Sequence, residues 1–256
     1  GNVDIVAEDD VEALAKAREL ISVLPSNNEN TGVICECDDD LNRVTAGLGT
    51  HVKDTAVALR EISDNNWFLE LKADCAKEMV IGFIRLNGAI VGAVANRSEI
   101  LGEDGKAAKK FDSVLTMAGA YKAAHFVNLC DSFSIPVLTL TSVTGFASSV
   151  GEERSIARAL AQLTSAFVSA TVPKVNLIVG KAYGSAYITM NSKHIGADLV
   201  FAYSDAEIGM MDAKLAAEII YDGKDAATIS EKAGEYAALQ NNPVAAAKRG
   251  FVDSII

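Results

Sequence analysis

The sequence predicts an α/β fold on three observations: strand-length apolar runs alternate with helical patterns, glycine and proline punctuate the joins, and 50% of residues are hydrophobic with 22% charged. Such a composition suits a sheet buried on both faces. The first element is a helix over 11–24, from the spacing of Val11, Leu14, Leu20 and Ile21, stopped at Pro25 by turn-forming Ser26-Asn27-Asn28-Glu29-Asn30. Residues 31–53 are polar, with the run Asp38-Asp39-Asp40, and predict an exposed connector before a second helix over 54–62. Apolar runs over 79–86 and 90–95, joined by Asn87-Gly88, predict a hairpin. A polar loop over 97–110 leads to a helix over 114–133 and, after Ile135-Pro136, a strand over 137–143. A helix over 155–170, a strand over 174–179 and a helix opening near Gly184 repeat the cycle, which predicts right-handed crossovers. Short strands around 199–202 and 207–211 precede mostly helical sequence, and 250–256 reads as a strand entering the core.

The 256 residues suit one domain. A net charge of -11 and the lack of a basic stripe argue against nucleic acid or an anionic membrane as partner. Cys35, Cys37, Cys75 and Cys130 lack the spacing of a disulfide framework, and nothing resembles a signal peptide, so the default compartment is the cytoplasm. The apolar runs fall short of the roughly 20 residues needed to span a bilayer.

Two strand ends carry glycine where a helix can begin: Ser142-Val143-Thr144-Gly145-Phe146 and Lys181-Ala182-Tyr183-Gly184-Ser185-Ala186-Tyr187. The first turn of a helix leaves N–H donors without partners, and the helix dipole adds positive charge, so each can hold an oxyanion. Each is equally accounted for as a tight strand-to-helix turn with glycine for geometry. Because the strands are expected to be neighbours, their donors can share one crevice, where paired N–H groups stabilise an enolate or a ureido anion.

Competing chemistry is sparse. There is no dinucleotide or phosphate-loop glycine pattern, and Ser185 lacks the second glycine of a nucleophile elbow. His51, His125 and His194 have no ligand spacing, and His125 is expected to be a partly buried structural residue. Cys35-Glu36-Cys37 lacks a second ligand pair, while Cys75 and Cys130 are expected to pack in apolar helical surroundings.

The order of motifs resembles the carboxyltransferase family of biotin-dependent acyl-CoA carboxylases and decarboxylases. Leu24-Pro25-Ser26-Asn27-Asn28, the segment Gly82 to Gly88 with Val91 to Asn96, and Lys122-Ala123-Ala124-His125-Phe126-Val127 leading to Cys130-Asp131 and Ile135-Pro136 carry the likeness. Thr144-Gly145-Phe146 stands where the family has Pro-Gly-Phe, and Lys181 to Tyr187 resembles Lys-Ala-Tyr-Gly-Gly-Ala-Tyr, with Ser185 in place of the second glycine. Ser192-Lys193 and Gly196-Ala197-Asp198 continue it. The resemblance implies a crotonase-like ββα superhelix of the family's C-terminal type over residues 1–256, inside a longer chain or a split subunit. It implies that Gly145, Phe146, Ser185 and Ala186 supply the oxyanion donors, and that Thr144, Gly184, Tyr187 and Ile188 join them around biotin. Biotin would arrive on a separate carrier, with acyl-CoA as substrate. The implied partners are a homologous N-terminal half, the biotin carboxyl carrier and biotin carboxylase components, and further copies in a homo-oligomer.

Two other readings remain. A crotonase-type acyl-CoA hydratase or isomerase shares the fold but needs carboxylates for proton transfer, and the turn after Gly184 offers Tyr187, Ile188 and Thr189 instead. A non-catalytic structural half rests on Thr144 and Ser185 alone.

Overall fold

The computed structural model describes residues 1–256 apart from 28, 31, 41, 46 and 47 and the side chain of residue 50. Asn28, which closes the first family-like motif, therefore lies outside the described residues. Helix α1 (Asp10–Val23) is capped by Asp9, whose carboxylate accepts from the Glu12 N–H at 2.8 Å. Val11, Leu14 and Ile21 face solvent and only Val23 is buried, so apolar spacing here marks a helix without marking the core. The expected exposed connector is partly anchored. It contains helix α2 (Leu48–His51), and Arg43 donates to the Glu61 and Ser63 carbonyls at 2.8 and 2.7 Å. Helix α3 (Thr55–Ile62) follows.

Strands β1 (Phe68–Leu71), β2 (Met79–Leu86) and β3 (Ala89–Asn96) run antiparallel. Asn87 and Gly88 have φ of 52° and 77°, the left-handed pair that a tight hairpin of this twist requires. Asp64 accepts from both turn N–H groups, at 3.1 and 2.7 Å. The expected loop over 97–110 instead holds the hairpin β4 (Glu99–Leu101) and β5 (Ala107–Lys110). The pattern over 114–133 divides into β6 (Val114–Leu115) and α4 (Met117–Ser132), capped by the Thr116 hydroxyl. Cys130 is buried in α4 as expected, whereas Cys75 lies in the turn before β2 and not in a helix.

Strand β7 (Val137–Val143) leads to β8 (Gly145–Phe146), α5 (Val150–Glu153) and α6 (Ile156–Ser169). Strand β9 (Lys174–Tyr183) runs past its expected end straight into α7 (Gly184–Thr189). The last third comprises β10 (Leu199–Ala202), β11 (Glu207–Gly209), α8 (Ala213–Ile220), α9 (Ala226–Tyr236), a π-helical turn at Ala237–Asn241, α10 (Pro243–Lys248) and β12 (Ser254–Ile255). The C-terminal strand pairs with β10 at the sheet edge, with Ser254 exposed, so it does not enter the core along its length.

The main sheet has the order β1-β2-β3-β7-β9-β10-β12, with β11 also on β9, and is parallel from β3 onward. Alternation along β2 sends Met79, Ile81 and Phe83 into the larger core with Phe126 and Phe167 of α4 and α6, while Val80 and Ile84 meet Leu59 of α3 on the other face. Polar residues tie the layers. The buried Lys174 ammonium donates to the Phe167 and Ala170 carbonyls at 3.0 and 2.7 Å, satisfying the C-terminal end of α6.

Candidate active site

Strands β7 and β9 are parallel neighbours, with Val143 opposite Ala182, so their C-terminal ends lie side by side. In parallel sheets this is where ligands bind. A crevice of about 480 Å³ opens there. Thr144, Gly145 and Phe146 line it from one segment, and Gly184, Ser185 and Ala186 from the other. The two segments flagged in the sequence are thus brought together.

They get there by different routes. Helix α7 begins at the end of β9 with Tyr183 as its cap residue and no side-chain cap, so its first-turn N–H groups have no side chain to satisfy them. Gly184 has φ +57°, and a Cβ there would stand 2.9 Å from the Met210 carbonyl, so only glycine fits. Gly145–Phe146, by contrast, starts no helix. It pairs in parallel with Val114–Leu115, and α5 begins only at Val150. The reason is Ser113, whose carbonyl accepts from both the N–H and the hydroxyl of Thr144, at 2.7 and 2.9 Å, and holds this segment extended. A Cβ on Gly145 would meet nothing within 4 Å, which leaves open space at the wall.

Tyr187 and Ile188 do not line the crevice. Tyr187 is buried with its ring edge toward His194 at 6.0 Å; its hydroxyl has no partner among the described residues, and burial pushes it up to about 12. Ile188 packs against the main core. His125, expected to be partly buried, is exposed on α4. Among the described residues no group of three or more His, Cys, Asp or Glu can hold a metal, and no helix is long and apolar enough to cross a membrane.

The third wall was not foreseen. Met210, Met211, Asp212 and Leu215 complete the crevice with Lys181 and Tyr183. They arrive because β11 pairs in parallel with the end of β9, setting Glu207 opposite Lys181 and Gly209 opposite Tyr183. The buried Asn241 fixes this wall by donating to the Met211 carbonyl at 3.0 Å, in a space that a side chain on Gly209 would fill. The apolar run after Glu207 was visible in the sequence, but its register against β9 was not.

The charges at the mouth are interlocked. Lys181 Nζ lies 3.7 Å from Glu207 and 3.5 Å from Asp212. The Tyr183 hydroxyl donates to Glu207, and burial, with that carboxylate, raises it well above the ordinary phenol range. Asp212 caps α8 by accepting from the Lys214 and Leu215 N–H groups at 2.9 and 3.4 Å.

The crevice thus lies between paired peptide segments at the ends of adjacent parallel strands of a crotonase-like α/β fold. The chain belongs to the carboxyl transferase domain family, whose model matches residues 1–256. It is 39% identical to the propionyl-CoA carboxylase beta chain of Roseobacter denitrificans, over 99% of this chain and 50% of that protein. It is 37% identical to the methylmalonyl-CoA decarboxylase subunit alpha of Propionigenium modestum, over 100% and 50%. The crystal structure of the transcarboxylase 12S hexamer core with methylmalonyl-coenzyme A and methylmalonic acid bound superposes with a TM-score of 0.88 at 37% identity, covering 100% of this chain and 50% of that one. The chain spans about half the length of the curated relatives it matches.

Proposed function

We propose that this chain is the C-terminal-type, biotin-receiving half of an acyl-CoA carboxyltransferase, moving a carboxyl group between biotin and an acyl-CoA of the propionyl or methylmalonyl type. The observation that carries the reading is the single crevice walled by Gly145–Phe146 and Ser185–Ala186. Biotin, delivered on a separate carrier domain or subunit, would hold the carboxyl group on its ureido ring. The residues suit such a ring: glycine leaves space at 145, and the start of α7 carries N–H groups without a side-chain cap. The N–H groups of Ser185 and Ala186 would hold the ureido oxygen of biotin, and those of Gly145 and Phe146 would offer a second set of donors to an oxyanion in the same crevice. The hydratase reading is disfavoured because the first turn of α7 has no carboxylate, and the one carboxylate lining the crevice among the described residues, Asp212, is committed to capping α8 and to Lys181. In the complete protein the thioester is held mainly by a homologous N-terminal half, within a homo-oligomer that also meets the biotin carboxyl carrier and biotin carboxylase components.

The test is Ala186→Pro in the complete enzyme. Proline removes a backbone N–H that no side chain replaces, and loss of one oxyanion donor costs on the order of 100- to 1,000-fold in rate. His125→Gln, at an exposed position on α4 that does not line the crevice, should leave the rate near wild type. A damaging histidine change with a harmless proline change would move the chemistry from the backbone to side chains.

A further inference from the structure

We propose that Lys181 is the residue that receives the migrating carboxylate, an assignment that rests on the carboxyl-transfer reading above. Lys181 is the one cationic side chain lining the crevice among the described residues, and it stands on the strand that ends at the Ser185–Ala186 donors. Its side chain is 46% exposed, so it faces the opening rather than the core.

Its ion pairs orient it without using it up. At 3.5 and 3.7 Å from Asp212 and Glu207 its ammonium makes no hydrogen bond to a described residue, which leaves three N–H donors available. Two carboxylates beside one cation would by themselves repel an anion, but both are engaged elsewhere. Asp212 accepts from two N–H groups at the start of α8, where the helix dipole offsets its charge. Glu207 accepts from the Tyr183 hydroxyl. The cation therefore retains capacity for an incoming anion.

The transferred group is a carboxylate at both ends of its path, on the thioester α-carbon and on the ureido nitrogen. A compact ammonium on a flexible stem can follow it across that distance, whereas backbone donors are fixed in place. The division of labour is that peptide N–H groups meet oxyanions formed during the reaction, and Lys181 meets the carboxylate present before and after it.

The experiment uses the complete carboxyltransferase and calorimetric titration with methylmalonyl-CoA and propionyl-CoA, which differ by that carboxylate. Lys181→Met should weaken methylmalonyl-CoA binding by about tenfold or more, the usual size of a lost charge-assisted hydrogen bond, and leave propionyl-CoA binding unchanged. Lys181→Arg, which keeps the charge and the ion pairs, should bind both thioesters nearly as wild type does and so guards against a folding defect. Equal weakening of both ligands by the methionine variant would assign the lysine to a part of coenzyme A common to both and overturn the proposal. So would no change in either. Wild type that binds neither thioester would overturn the carboxyl-transfer reading itself.

Discussion

Lys122 shows what a single residue can conceal. It lies in helix α4 at 3% exposure, and its ammonium donates to the Lys72 and Cys75 carbonyls at 2.9 and 2.8 Å, closing the turn before β2. Burial lowers its pKa from 10.5 to about 8, with the neighbouring Glu70 acting in the opposite direction. Between those values the unfolded chain binds the proton that the folded chain has released, so this residue makes stability rise with pH across that window. Below about pH 8 both states are charged and the burial cost is fully present. The difference in unfolding free energy between wild type and Lys122→Met should climb from about pH 8 to pH 10.5; a flat difference in denaturant titrations would contradict this account. Residue burial was the least legible property in the sequence. His125 and Cys75 were both misplaced, because exposure depends on which distant element covers a position.

At the scale of elements, the contact between β3 and α4 leaves no room for even one methyl group at Gly92. A Cβ on Gly92 would run into the Cys130 sulfur and come within 3.3 Å of the Phe126 ring. Gly92→Ala should destabilise the fold by about 1–3 kcal/mol through overpacking. Adding Cys130→Ala should recover about 1 kcal/mol or more of it as coupling, since the two groups contend for one space. Additive effects in a double-mutant cycle would place the strain elsewhere. Elements with long periodic patterns and strong punctuation were legible. Strand β7 lies where the sequence put it, and α6 and β2 match closely. Strands β1, β4, β5, β6 and β8 were missed, being only two to four residues long; they exist through pairing with a partner that local sequence does not specify.

The whole molecule brings together what sequence order keeps apart. Two walls of the crevice were legible because glycine at a strand end is a local signal, and family-like motifs surround both. The third wall was not, because Met210 to Asp212 reach it only through the pairing of β11 on β9. The proposed half-site also limits the isolated chain. Holding both reactants in register contributes roughly 7 to 11 kcal/mol to lowering such a barrier, and this half orients only one of them. The 256 residues alone should therefore fail to transfer carboxyl groups from methylmalonyl-CoA to free biotin, and the homologous half added in trans should restore turnover. Turnover by the purified chain, with mass spectrometry showing no partner, would refute this.

Strand β9 runs ten residues from Lys174, which closes the end of α6, to Tyr183, where α7 begins. Successive side chains on a strand point to opposite faces. A single residue gained or lost within it would turn Lys181 away from the crevice and slide Gly184 off the Met210 carbonyl. The chain can thus vary in length at the α8–α9 hairpin, where α9 has no fully buried residue, but not along this strand. The length of this strand, and not only its amino acids, therefore sets the geometry of the crevice.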